Sequence, residues 1–280
     1  MLKKIIEIIK FIMSLFANNG NVIEGDGADV IIEDPIDTYE PETDDNYDYD
    51  EPEPEQEDEQ EEVLDYSDIM VHIDNGHAKE TAGKRTPWCS HKVKPELVLY
   101  EYESNRIIAN LIKEGLEKMN FLVDMVVPEV EKDIKLTQRY SRANVMKGKH
   151  PECKHIFISV HSNAHGHGES WTSAEGWEAY TTKGQNNSDK LADCLYDAAE
   201  RILKPMGRKI RTQMSSDGDR DYEENFTVIW GANMPAVLTE SLFYTNIEDT
   251  KFLLSEEGQR AIAEVHIQGI KAFCDKYYRG

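Results

Sequence analysis

Three groups able to bind a metal or move a proton sit at or just past the ends of apolar, strand-like runs. His77 follows "DIMVHIDNG", His161 ends "HIFISVH", and Glu240 ends "PAVLTE". Apolar residues resume at once after Glu240 with Leu242 and Phe243. A carboxylate inside such a run is costly to bury unless something pairs with it or uses it. A lone histidine at a strand end is ordinarily structural. Three such groups together indicate a site, because α/β sheets collect functional residues outside the carboxyl ends of their strands.

A fourth member comes from helical spacing. Over a helical pattern from about Pro95 to Met119, residues Leu97, Ile108, Leu111, Ile112, Leu116 and Met119 define the inward stripe. At 100° per residue Glu101 falls near its centre and Glu103 on the opposite face. An inward glutamate needs a partner, either a cation or an arginine such as Arg139 or Arg142. His77, Glu101 and His161 together form a two-histidine, one-carboxylate set suited to catalytic zinc, with a fourth position left for water. Such a site needs a base for proton transfer, and Glu240 fills that vacancy.

These residues require a layered scaffold. The runs "DIMVHID", "FLVDMVV", "HIFISVH", "GWEAYTT" and "PAVLTE" read as strands. Between and after them lie helical patterns at 95–119, "DIKLTQRYSRANVMKG", "SDKLADCLYDAAERIL" with Ser188 as N-cap, "IEDTKFLLS" and "EEGQRAIAEVHIQGIKAFCDKYY". Short apolar strands alternating with amphipathic helices predict an α/β domain over 67–280, a mixed, mostly parallel sheet with helices on both faces. No internal repeat is evident.

Charge sets the boundary of that domain. Of 54 Asp and Glu in 280 residues, 21 lie between Asn21 and Tyr66, a stretch without Lys or Arg. Such a segment has too little apolar surface to offset the entropy of ordering and reads as a disordered acidic linker over 21–66. Nothing is basic enough to suggest nucleic acid as a partner. Residues 1–20 carry Lys3, Glu7, Lys10 and Ser14 at helical spacing opposite Ile5, Ile8, Ile9, Ile12 and Phe16. That pattern predicts an amphipathic helix suited to a membrane surface through residues 3–16, with a cleaved signal segment as the alternative. Cys89, Cys153, Cys194 and Cys274 are scattered, with no paired spacing for a disulfide framework or a cysteine zinc site.

Over nearly all of 67–280 the chain resembles the zinc-dependent N-acetylmuramoyl-L-alanine amidases, the peptidoglycan amidases of bacterial autolysins and phage endolysins. "HIDNGH" is similar to the family's first histidine strand, and "EYESNRIIA" to its glutamate-bearing helix start, with Glu101 in register. "DIKLTQRYSRAN" resembles its Leu-x-x-Arg-x-x-x-Ala-Asn segment, "FISVHSNA" its second histidine strand, and "VLTESLFYTNIEDTKFLL" its catalytic-glutamate strand. The sequence departs from the family's Asp-Pro-Gly-His-Gly-Gly at Asp74-Asn75-Gly76-His77-Ala78-Lys79, keeping the glycine before the ligand.

The resemblance implies a monomeric Zn²⁺ enzyme acting on peptidoglycan at the cell wall. It would cleave the amide between N-acetylmuramic acid and L-alanine, with Glu240 catalytic and His77, Glu101 and His161 on the metal. A zinc peptidase or deacetylase acting on another amide, or a non-catalytic wall-binding module, are the alternatives. His72, His91, His150 and His155 read as structural or solvent-facing. His165 and His167 are candidates for the cleft wall. Glu178 and Arg139 read as groups that orient ligands or loops, and Trp88, Trp171 and Trp177 either stack on sugar or pack in the protein.

Overall fold

The computed structural model describes residues 65–87, 94–213 and 218–279. The expectations for residues 1–20 and 21–66 therefore lie outside the described residues, apart from the last two of the linker, as do Trp88, Cys89 and His91. Six strands form one sheet: β1 (Ile69–Asp74), β2 (Leu122–Met125), β3 (Lys154–Asn163), β4 (Trp177–Thr181), β5 (Tyr222–Glu223) and β6 (Ala236–Phe243). Their order is β2-β1-β3-β6-β4-β5. All neighbours run parallel except β4 and β6, so the sheet is mixed and mostly parallel, as expected.

Among the described residues six α-helices accompany the sheet: α1 (Glu101–Glu117), α2 (Leu136–Lys149), α3 (Asn187–Ile202), α4 (Thr227–Trp230), α5 (Ile247–Leu254) and α6 (Glu256–Tyr277). Alternation along the strands divides them between two cores. Val71, Ile73, Ile156, Ile158, Val160 and Val237 pack with buried residues of α1, α3 and α6. Phe157, Ala236 and Leu238 point the other way and pack with Ala143 of α2 and Val228 and Ile229 of α4. The central strands are thus covered on both faces, which explains their nearly continuous apolar sequences.

Two local expectations are corrected. The pattern at 95–119 is not one helix. Pro95–Leu97 form a 3-10 turn, and α1 begins only at Glu101. Between them Leu99 pairs with Thr86, its N–H on the threonine hydroxyl and its carbonyl accepting the threonine N–H, while Tyr100 bridges Arg85. This extended pairing removes Val98–Tyr100 from the helix. Ser188 is not the N-cap of α3; Asn186 is, in a capping box with Asp189. The Ser188 hydroxyl instead accepts the Ala236 N–H at the start of β6.

Among the described residues no helix is long and apolar enough to cross a membrane. One polar residue lies deep beneath the sheet. His266 of α6 is fully buried, with Nδ1 against the Ile262 carbonyl at 2.7 Å and Nε2 against Thr239 Oγ1 at 2.8 Å. The first contact requires Nδ1 to donate.

Burial lowers the His266 pKa from 6.5 to about 4. Between those values the unfolded chain binds a proton that the folded chain excludes, so stability should fall as pH falls through that window. The contribution is of the order of 3 kcal/mol. Urea unfolding from pH 7 to pH 4 should show a shallower pH dependence in His266→Gln than in the wild type.

Candidate active site

The loop after β1 turns sharply to present His77. Gly76 and His77 both lie in the left-handed region, with φ of +45° and +54°. A Cβ on Gly76 would stand 2.6 Å from His161 Cε1 and 2.8 Å from Asn105 Nδ2. Glycine is therefore required for close approach as well as for conformation, which accounts physically for the glycine before His77. Arg106 of α1 fixes the far side of the turn by donating to the His77 carbonyl at 3.0 Å.

Glu101, as the first residue of α1, is 1% exposed. Its Oε1 faces His161 Nδ1 at 3.2 Å and accepts the Ser162 N–H at 3.2 Å. Its Oε2 lies 3.4 Å from His77 Nε2 and 3.9 Å from the Lys84 ammonium. That oxygen is buried without a hydrogen bond. Glu103 is exposed, as the helical register predicted. Neither Arg139 nor Arg142 serves Glu101: Arg139 pairs with Asp74 and Asp133, and Arg142 with Glu129.

The donor atoms of His77, Glu101 and His161 all lie within 4.8 Å of one another. Ligands about 2.1 Å from a tetrahedral zinc ion lie roughly 3.4 Å apart. Each ring nitrogen stands near that distance from Glu101, though from different oxygens: His77 Nε2 is 3.4 Å from Oε2 and His161 Nδ1 is 3.2 Å from Oε1. Burial lowers the His77 pKa to about 4, so its ring is neutral and its lone pair available. Burial opposes ionisation of Glu101, but the His161 hydrogen bond and the two nearby rings outweigh it and bring its pKa to about 2. An orphaned carboxylate oxygen facing a neutral imidazole fits a divalent cation.

Glu240 pairs with His161 in the parallel register of β3 and β6, and with Glu178 across β4. Side-by-side residues project from the same face, so the row His161, Glu240, Glu178 crosses three strands. Glu240 Oε2 is buried without a hydrogen-bond partner. Burial raises its pKa to about 8; the nearby Glu101 adds to the rise and His161 opposes it. Immediately beyond, the β3–β6 register shifts between His161/Glu240 and Asn163/Phe243, one residue longer on β6. Leu242 takes up the difference at φ +68°. Such a bulge re-aims side chains at the end of a strand.

The supporting groups are only partly those expected. Arg139, 1% exposed, donates to Asp74 at 2.7 Å and to the Ile134 carbonyl at 2.8 Å, and also pairs with Asp133. Asp74 in turn accepts from Ser159 at 2.7 Å, tying the end of β1 to β3. Glu178 accepts from Asn163 and Tyr180, both at 2.7 Å, and pairs with Arg211. Arg106, Asn163 and Arg211 stood out by no spacing or pattern, since their roles depend on contacts between distant segments.

Among the other candidates, His72 and His155 are structural, hydrogen-bonded to one another at 3.0 Å, with Asp124 on His72 at 2.8 Å. His165 and His167 are exposed and outside the His77–Glu101–His161 cluster. Trp177 is wholly buried against Tyr196 and is not a sugar platform.

The fold and site define a class: a mixed α/β sheet carrying a two-histidine, one-glutamate cluster beside a second, half-buried glutamate. The sequence profile of the N-acetylmuramoyl-L-alanine amidases matches residues 71–272, and the chain belongs to that family, which consists of hydrolases. It is 29% identical over 201 residues to an endolysin of Bacillus phage SPP1, covering 72% of this chain and 64% of the endolysin. It is 30% identical over 123 residues to the uncharacterized protein YqiI of Bacillus subtilis, spanning 43% of this chain and 52% of that one. The chain thus spans about half to two thirds of these relatives.

Two solved amidases share the fold. The N-acetylmuramoyl-L-alanine amidase of Clostridium difficile 630 aligns with a TM-score of 0.59 at 24% identity, over 75% of this chain and 99% of that one. The catalytic domain of CwlV from Bacillus (Paenibacillus) polymyxa var. colistinus aligns with a TM-score of 0.58 at 24% identity, over 74% and 98%.

Arg139 supplies a test of the scaffold beneath His77. Arg139→Ala should lower stability by about 3–5 kcal/mol in urea unfolding, because Asp74 is left buried without its counter-charge. Adding Asp74→Asn should recover part of that loss. Strict additivity of the two changes would show that the pair does not act as a unit.

Proposed function

We propose that this protein is a zinc-dependent N-acetylmuramoyl-L-alanine amidase, hydrolysing the amide between the lactyl group of N-acetylmuramic acid and L-alanine. The single observation carrying this reading is the buried Glu101 carboxylate held between His77 and His161, with Glu240 beside His161 on the next strand. Family membership supports the choice of amide. Residues 67–280 are assigned as the catalytic domain. Residues 1–20 and 21–66 are assigned as a surface-attaching helix and an acidic linker. The substrate places the site of action at the cell wall.

His77, Glu101 and His161 would hold the zinc ion. Bound there, zinc supplies Lewis acidity to a carbonyl oxygen and to water. Glu240 acts on the proton. As a carboxylate it accepts the proton of the attacking water; as an acid it delivers that proton to the alanine nitrogen, which otherwise leaves poorly. Its elevated pKa, about 8 from burial, suits a group that must do both near neutrality. A nearby dication draws that value down. Asn163, Tyr180 and Arg211 hold Glu178 in the same row, fixing the neighbouring strand against which Glu240 stands.

Purified sacculi treated with the zinc-loaded protein should release peptides with a free N-terminal L-alanine and leave the glycan strands intact, as identified by mass spectrometry. A strong chelator should abolish release and zinc should restore it. Peptides cut elsewhere in the stem, or deacetylated glycan without peptide release, would reassign the substrate. Glu240→Gln should retain zinc and lose about 10²–10⁴-fold in kcat; loss of zinc in this variant would make Glu240 a ligand.

The ligand assignment has an internal control two residues along the helix. Glu101→Ala should lose stoichiometric zinc, whereas Glu103→Ala should retain it because that side chain faces solvent. Equal zinc content in the two variants, by atomic absorption, would overturn the assignment.

A further inference from the structure

A second cluster of acids lies away from the site. Asp189 in the first turn of α3 and Asp219 and Asp221 on the approach to β5 offer carboxylate oxygens all within 4.8 Å of one another. Asp221 hydrogen-bonds through Oδ2 to the hydroxyl of Thr181, the last residue of β4, at 2.5 Å. Thr181 is three residues past Glu178, so this point is roughly 10 Å along the sheet from the Glu178–Glu240 pair. The two clusters share no residue.

Asp221 is the distinctive member of the cluster. It is 1% exposed, yet Oδ1 is buried with no hydrogen-bond partner. Thr181 takes up Oδ2, which leaves Oδ1 without a partner in a side chain whose carboxylate lies within 4.8 Å of the other two. A buried acceptor left unsatisfied is uncommon in native proteins. Repulsion from two neighbouring acids makes the arrangement worse unless a positive charge intervenes.

The neighbouring helix is acidic as well. Asp189, Asp193 and Asp197 recur every fourth residue along one stripe of α3. Arg220, between the two loop aspartates, reaches Asp193 at 3.1 Å and Asp197 at 2.8 Å. That guanidinium is engaged by the two aspartates farther along the helix. Asp189 is itself tied to the helix start, accepting the Asn186 N–H within the capping box. Its position is therefore fixed before anything binds, as is that of Asp221 by Thr181.

We propose that Asp189, Asp219 and Asp221 form a second cation site, built for a hard divalent ion of the calcium type. Three carboxylates and no histidine or cysteine select oxygen-loving cations over zinc, which distinguishes this site from the His77–Glu101–His161 cluster. Calcium tolerates the irregular geometry of ligands from a helix and a loop, and completes its shell with water. Bound there, it would clamp the 218–221 segment to the start of α3 and the end of β4. Burial first, and then the neighbouring Asp219 and Asp189, raise the Asp221 pKa to about 7. A proton is thus the competitor that the ion displaces.

The test is a calorimetric calcium titration of the zinc-loaded, full-length protein at pH 8, alongside Asp221→Asn and Asp219→Asn. Both variants keep the acidic 21–66 segment, so weak binding there cancels in the difference. The wild type should show one saturable site that both variants lose. At about 100-fold excess over Kd its melting temperature should rise by roughly 5 °C, and the variants should not respond. Asp221→Asn removes one of three like charges and keeps an acceptor for Thr181, so without calcium it should melt no lower than the wild type. If that variant does not fold, the Asp219→Asn comparison decides. The proposal is overturned if calcium binds the wild type and the folded variants equally, or if millimolar calcium gives the wild type no saturable site.

Discussion

The buried carboxylate of Glu101 is the constraint on which the rest of the site depends. A glutamate at 1% exposure is tolerated only where cations or strong donors surround it. Here the neighbouring groups come from separate segments: the His77 ring beyond β1, His161 and the Ser162 N–H on β3, and the Lys84 ammonium in the loop before α1. Each is brought in by a different structural device. The left-handed turn at Gly76 and His77, the parallel register of β1 and β3, and the late start of α1 all converge on one pair of oxygens.

Beneath that carboxylate the protein uses ordinary ion pairing to hold its loops. Arg139 joins Asp74 at the end of β1 to Asp133 ahead of α2, and Asp74 also takes the Ser159 hydroxyl. On the other side of the sheet's end, Asp249 of α5 accepts the N–H groups of Gly176 and Phe243, at 2.9 Å and 3.0 Å. This anchors the residue just past the β6 bulge to the chain entering β4. The two aspartates tie together strand ends and loops next to the strands that carry His161 and Glu240. Preorganisation of this kind is what an electrostatic site needs, since buried polar groups act at full strength only when they cannot relax.

Glu240 and Glu101 illustrate how environment separates two like residues. Both are glutamates at the same end of the sheet, Glu101 buried and Glu240 half-buried with one carboxylate oxygen shut away from water. Glu101 has two imidazoles, an ammonium and a backbone N–H within reach and is driven to a pKa of about 2. Glu240 is removed from water with fewer compensating donors and is driven to about 8. The first is a permanent anion suited to a cation; the second can exchange a proton. Divergent pKa values in adjacent acids are how one site divides binding from proton transfer.

Much of this was legible in the sequence for a definite reason. Strand periodicity and strand-end position are local properties, so the apolar runs ending near His77, His161 and Glu240 could be read directly, as could the inward face of Glu101 and the outward face of Glu103. The alternation of strands and helices likewise determined a mixed α/β layer. Local pattern failed where a competing partner lay far away in the chain. Val98–Tyr100 leave the helix because Arg85 and Thr86 pair with them, and Ser188 gives up the cap because Ala236 claims its hydroxyl. Arg106, Asn163 and Arg211 took their roles from contacts that no spacing encodes. Only the tertiary structure decided which carboxylate Arg139 would serve. A buried ion pair forms between groups that the folded backbone brings together, and sequence alone supplies the charges without their distances.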